Sequence, residues 1–149
     1  MDTLQNIMSE FPGCEIDPSV EGCIDRIRDL YNAPFARMMG IEPTYISKDE
    51  IRMKMTVKPE FKNSHGICHG AAIYALADHT FAFASNLFVD ATGQNTNTTY
   101  HRPATCDVLE SVSKVINESR NLHVFDIRIY GNGKLISSGV YTAFKINRG

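Results

Sequence analysis

Asp78 is the only Asp, Glu, Lys or Arg between Ser64 and Val89. Ahead of it come Asn63 and the pair His69-Gly70. These residue types suit attack on an activated carbonyl. A carboxylate can serve as general base or as nucleophile. A glycine N–H at a helix start can polarise a carbonyl oxygen, because no Cβ blocks the approach and the positive end of the helix dipole lies there. Gly70 is the candidate donor of that kind. The Asn63 side-chain amide can hold a water or a carbonyl oxygen. His69 is placed to orient the loop or a substrate rather than to take a proton.

The element that must position these groups is a helix over about residues 70–88. It is apolar on nearly every face and is therefore expected to be buried. An ionised Asp78 inside it would cost on the order of several kcal/mol unless paired or solvated. The small residues Ala71, Ala72, Ala75, Ala77, Ala82 and Ala84 would let strands approach closely, with Tyr74, Phe81, Phe83 and Phe88 filling the remaining volume. The eight-residue step from Gly70 to Asp78 rises roughly 12 Å along a helix. One chain cannot easily present both groups to one carbonyl, whereas two antiparallel helices from two subunits can. The spacing therefore predicts a two-fold homodimer with two composite sites.

Around this helix the pattern reads as one α+β domain over 1–149, with residues 1–32 as an N-terminal helical extension. Asp17-Pro18 looks like an N-cap followed by Pro at the first helical position. Val20, Ile24, Ile27 and Tyr31 then recur at helical spacing, giving an amphipathic helix over 18–31. A short helical turn to Met39 closes at Gly40. Strands are expected at 41–48 and 50–58, where Ile51, Met53, Met55 and Val57 alternate with polar residues. Four more are expected after the helix, at about 94–102, 107–118, 121–130 and 134–146. Gly131-Asn132-Gly133 supplies the positive φ angles of a tight hairpin. Such strands suggest an antiparallel sheet curling around the helix.

Composition narrows the function classes. A net charge of −2 gives no reason to expect nucleic acid as a partner. The N-terminal segment has no basic, apolar signal pattern, and Cys14, Cys23, Cys68 and Cys106 form no framework spacing, so free thiols in the cytoplasm are expected. Asp78, His79, Ser85 and Asn86 oppose reading the central helix as a membrane span. His65, Cys68, His69 and His79 match no standard zinc pattern, and no metal site is expected. Cys68 as a nucleophile ranks low, since nothing is placed to orient a neighbouring His.

Asn63, His69-Gly70 and Asp78 nine residues after His69, followed by Phe81-Ala82-Phe83-Ala84 and later by Tyr100-His101-Arg102-Pro103-Ala104, resemble the hotdog-fold acyl-CoA thioesterases of the PaaI type. The resemblance runs from about Ala33 to Ile146. Where that family often has Gly-Gly after the His, this chain has Gly70-Ala71. The resemblance implies hydrolysis of acyl-CoA to a carboxylic acid and CoA, no cofactor, and dimers often paired into tetramers. It also implies a helper Ser or Thr on the strand after the helix, for which Thr96 is chosen over Thr98 and Gly93. Lys62 and Arg102 could meet the phosphates of CoA, although solvated surface charges are the commoner case. Two rival readings share the fold. One is a non-catalytic acyl-CoA binding module. The other is a hydratase of enoyl or hydroxyacyl thioesters, for which the adjacent Asp78-His79 is a poor pair because neighbours on a helix face about 100° apart.

Overall fold

The computed structural model describes residues 4–146. A short helix α1 (Leu4–Met8) and a two-residue strand β1 (Glu15–Ile16) precede a 3₁₀ turn, Pro18–Cys23, capped by the Asp17 carboxylate on Ser19 N–H at 2.8 Å. Helices α2 (Ile24–Tyr31) and α3 (Pro34–Met39) follow, the latter closed by Gly40 at φ 72°. Strands β2 (Ile41–Ile46) and β3 (Glu50–Thr56) lead to helix α4 (Gly70–Ser85). Strands β4 (Ala91–Tyr100), β5 (Val108–Glu118), β6 (Leu122–Gly131) and β7 (Lys134–Lys145) complete the chain.

One seven-stranded sheet forms in the order β1-β2-β3-β5-β6-β7-β4. Every pairing is antiparallel except the short β1–β2 contact, which is parallel. The sheet face bearing Met53, Met55, Leu109, Phe125, Ile127 and Ile129 is buried, and α4 packs against β3, β5 and β6. This is the α+β hotdog arrangement expected from the sequence. Alternation set it up: in β3, Ile51, Met53 and Met55 are buried while Arg52, Lys54 and Thr56 face solvent. The β6–β7 hairpin turns on Asn132 at φ 50° and Gly133 at φ 74°. Gly131 serves differently, because a Cβ there would run into the Cys106 Sγ.

Three expectations need correction. The amphipathic helix over 18–31 is a 3₁₀ turn running into α2, and the N-terminal extension also adds β1 to the sheet. Its Ile7, Phe11, Val20 and Ile27 belong to the common core, and Arg26 ties it to Asp90 at 3.1 Å. The central helix ends at Ser85 rather than near 88. Asn86 stops it, with Nδ2 on the Ala82 carbonyl at 3.0 Å and Oδ1 accepting from Ala91 N–H at 2.9 Å. Phe88 consequently lies outside the helix and exposed.

The third correction concerns burial. α4 is not covered on every face. Ala71, Tyr74, Asp78 and Ala82, at helical spacing, remain exposed or half-buried, and Asp78 is among the exposed residues. The strand beside them, β4, lies at the sheet edge and pairs only with β7, and none of its ten residues is buried. The solvent that Asp78 needs is therefore supplied by an open stripe rather than by a partner within the protomer.

Candidate active site

Gly70 is the first residue of α4, and His69 is its N-cap with extended backbone, φ −64° and ψ 138°. The His69 Nδ1 accepts the Ala71 N–H at 3.0 Å, which puts the ring proton on Nε2 when the imidazole is neutral. His69 thus caps the helix start through its own ring nitrogen. Its own N–H donates to the Phe61 carbonyl at 2.7 Å, fixing the loop entry. The Gly70 N–H finds no acceptor among the described residues. The Gly70 carbonyl accepts from the Tyr100 hydroxyl at 3.1 Å. A helix N1 donor left unspent, beside a residue without a Cβ, is what an incoming carbonyl oxygen requires.

Asn63 lies in the preceding loop. Its Oδ1 accepts from His65 N–H at 2.9 Å and Ile67 N–H at 3.4 Å, a side-chain-closed turn. That fold-building use of the oxygen leaves the Nδ2 donor without a partner among the described residues, so only the amide N–H side is open to a ligand.

Two turns down the helix, Asp78 sits on the exposed stripe. The protein around it raises its pKa above the ordinary carboxylate value by partial desolvation. Beside it is a hydroxyl cluster that spacing alone did not single out. Tyr74, one turn ahead of Asp78, places its hydroxyl 2.9 Å from the Thr96 Oγ1. Thr98 and Tyr141 form a second pair at 2.9 Å, and the Tyr74 and Tyr141 rings stack with centroids 6.2 Å apart. Burial pushes the Tyr141 phenol up to about 12, against the lowering bond from Thr98, with Tyr74, Tyr100 and Asp78 adding to the rise. The i, i+4 relation of Tyr74 to Asp78 was the available signal for the cluster. Of the three contenders for the helper position, Thr96 stands on the α4 side beside Tyr74. Thr98 is engaged with Tyr141, and Gly93 backs onto the Phe81 ring.

The sequence profile of the family described as Thioesterase superfamily matches residues 65–135, the segment holding His69, Gly70, Asp78 and Thr96. The acyl-coenzyme A thioesterase PaaI of Escherichia coli is 29% identical over 100 residues, covering 66% of this chain and 71% of that protein. Over that segment the chain is similar to the thioesterase superfamily, and it shares the hotdog fold of PaaI-type proteins. The structure of E. coli PaaI superposes with a TM-score of 0.79 at 23% identity, covering 87% of this chain and 94% of that one. A variant of the phenylacetic acid degradation protein PaaI of Thermus thermophilus superposes at 0.74 with 28% identity, covering 76% and 100%. A Deinococcus radiodurans protein described only as an esterase is 36% identical over 70 residues. The matched segment spans 47% of this chain and 48% of that relative, about half the length of each.

Within this hotdog fold, other nucleophile and pair readings lose ground. Burial pushes the Cys68 thiol up to about 11, with Cys106 adding to the effect, so little thiolate exists at neutral pH. His79 turns away from the exposed stripe into the core against Phe83, ring centroids 6.2 Å apart. Burial there, with the nearby Arg37, lowers its pKa to about 4 against a raising bond to the Leu30 backbone. Asp78 and His79 therefore do not form the acid–base pair that hydratase chemistry requires. Among the described residues, no three potential ligands of the His, Cys, Asp or Glu type gather for a metal. No helix among them is long and apolar enough to cross a membrane.

Arg102 and Lys62 lie on different sides of the α4 N-terminus. Lys62 borders a cavity of about 290 Å³ with Phe35, Met39, Phe61 and Ala75 on its walls. Arg102 borders one of about 360 Å³ that also touches Gly70 and Tyr100.

Proposed function

We propose that the protein hydrolyses acyl-CoA thioesters to a carboxylic acid and CoA, in two composite sites between the protomers of a homodimer. One observation carries this reading. The helix face bearing Asp78 and the neighbouring edge strand β4 are left open, while the Gly70 N–H at the head of the same helix is unspent. The two groups lie roughly 12 Å apart along α4, so a two-fold partner laid antiparallel along β4 brings Asp78 of one chain to Gly70 of the other. Edge-strand pairing would also satisfy the free backbone groups of β4.

In this site the Gly70 N–H, backed by the helix dipole, takes the charge that develops on the thioester oxygen. The Asn63 Nδ2 donor supports the same oxygen or the attacking water. Asp78 acts as base or nucleophile, and Thr96, held by Tyr74, orients the water or the intermediate. The helix end that stabilises the oxyanion also favours the ionised form of the facing Asp78, offsetting the rise that burial causes. The acyl-CoA substrate follows from the named activity of the E. coli relative, and pairing of dimers into tetramers from the family resemblance. The cytoplasm is the location this substrate suggests.

A free-thiol assay over a panel of acyl-CoA esters tests the reading. Wild type should release CoA from at least one ester, and Asp78→Ala should lose at least about 10²-fold in kcat. Wild-type protein that binds CoA esters yet never releases thiol would leave only the non-catalytic binding module.

A further inference from the structure

Thr96, Thr98 and Tyr100 alternate on one face of β4, and each sets its hydroxyl on a partner. Thr96 meets the Tyr74 hydroxyl and Thr98 that of Tyr141, side chain to side chain. Tyr100 differs. Its hydroxyl reaches past the side chains to backbone, donating to the Gly70 carbonyl at the head of α4 at 3.1 Å. The strand end that carries it is itself anchored on β7. Tyr100 lies opposite Ser137, and the N–H of His101 donates to the Ile136 carbonyl at 2.8 Å.

The bond matters because of what Gly70 lacks. The first residue of a helix has no helical acceptor for its own N–H, and glycine restrains its own dihedrals less than any other residue. The direction of that N–H must therefore be fixed from outside. The peptide before it, His69–Gly70, is held by its carbonyl, which accepts from Ala72 N–H at 2.9 Å and Ile73 N–H at 3.2 Å. Two donors on that oxygen also polarise the N–H at the other end of the same peptide. The peptide after it, Gly70–Ala71, is held by side chains at both ends. Tyr100 donates to its oxygen, and its N–H donates to the His69 Nδ1 at 3.0 Å. Among the described residues, the Gly70 N–H is thus the one polar group of these two peptides left without a partner. The Tyr100 ring stands beside the Gly70 Cα, 3.6 Å from where a Cβ would lie, and both residues line the cavity of about 360 Å³. Burial, with Tyr74 adding to the effect, raises the Tyr100 phenol above its ordinary value, so it keeps its proton and can donate at neutral pH.

We infer that Tyr100 is a positioning residue: through the Gly70 carbonyl it fixes the direction of the Gly70 N–H, and so governs how well that donor meets a thioester oxygen. It touches no reacting atom itself. The use given to the N–H rests on the thioesterase reading; the clamp on Gly70 rests on the hydrogen bonds. Because β4 is an open edge strand, the clamp ties the donor to the element that a second copy would cover in the proposed dimer.

Tyr100→Phe keeps the ring and deletes the hydroxyl. Loss of one such hydrogen bond should lower kcat about threefold to tenfold, with KM little changed. A double-mutant cycle separates positioning from packing. In a Gly70→Pro background, where the N–H is already gone, adding Tyr100→Phe should cost nothing further. A tyrosine that only supports the fold would cost the same factor in both backgrounds. Amide hydrogen exchange gives a readout without substrate. The Ala71 N–H, on the peptide that Tyr100 holds, should exchange about threefold faster in Tyr100→Phe. Wild-type kcat in Tyr100→Phe, equal losses in the two backgrounds, or unchanged exchange at Ala71 each overturns the inference and leaves the proposed activity standing. Full kcat in Gly70→Pro would instead overturn the donor role of Gly70, and with it the reading on which the inference rests.

Discussion

Gly70 carries two separable properties, and one substitution divides them. Proline at N1 removes only the N–H, a donor the helix does not use. The preceding residue must then be extended, and His69 already is, at ψ 138°. A Cβ at position 70 would stand 3.6 Å from the Tyr100 ring, an ordinary contact. Gly70→Pro should therefore keep the wild-type melting temperature and lose about 10²–10³-fold in kcat, the usual consequence of deleting one oxyanion donor. A large fall in melting temperature would show the glycine to be structural. Asp78 makes the opposite trade. Its folded pKa is raised above the ordinary value of 3.8, so the folded state holds its proton more tightly than the unfolded chain does. Stability falls as pH rises through that window, and the ionised group is a burden at neutral pH. Asp78→Asn should melt higher than wild type at pH 7, and the difference should vanish in acid where both states carry the proton. Stability given up at one polar residue is a sign of function. The sequence made Asp78, Gly70 and His69 legible because their types are rare in such surroundings. It hid Tyr74, Thr98 and Tyr141, since a phenol or hydroxyl in an apolar pattern looks like filling until its partner is known.

The elements were legible where period decided them and blurred where a single polar atom did. Strands β2, β3, β5, β6 and β7 announced themselves by alternation and by the hairpin glycines. The end of α4 was misplaced because the apolar run continues through Leu87-Phe88-Val89, whereas the Asn86 amide breaks the helix. β4 begins at Ala91 rather than 94, since its polar residues, exposed on both faces, carry no period-2 signal. The docking of α4 on the sheet also turns on a polar pair. Thr80 donates to the Leu76 carbonyl at 2.7 Å and meets the Ser111 hydroxyl of β5 at 2.6 Å, both residues being fully buried. Thr80→Val keeps the shape but strands the Ser111 hydroxyl, so it should destabilise the protein by about 1–3 kcal/mol. Adding Ser111→Ala removes both partners, and the double variant should fall short of the sum of the singles. Denaturant midpoints at constant m-value measure this. Strict additivity would show that the contact contributes nothing to helix docking.

At the scale of the whole molecule, the composite site makes a prediction that no single-chain site can match. In the proposed dimer each site draws Gly70 from one protomer and Asp78 from the other. A dimer of one Asp78→Asn chain and one Gly70→Pro chain then has one site with both defects and one with neither. Mixing the two inactive proteins in equal amounts, after dissociation and reassociation, gives mixed dimers as half of the population. Half of their sites are intact, so activity should recover to about a quarter of wild type. If both groups acted within one chain, every site in every dimer would keep its defect and no activity would return. The same experiment reads the interface. Exchange requires the open β4 edge and the α4 stripe to separate and meet again, so recovery should track subunit mixing measured by native mass spectrometry. Mixed dimers without recovery would show that Asp78 and Gly70 do not meet across the interface, and recovery without mixed dimers would separate the activity from subunit exchange; either result overturns the composite site.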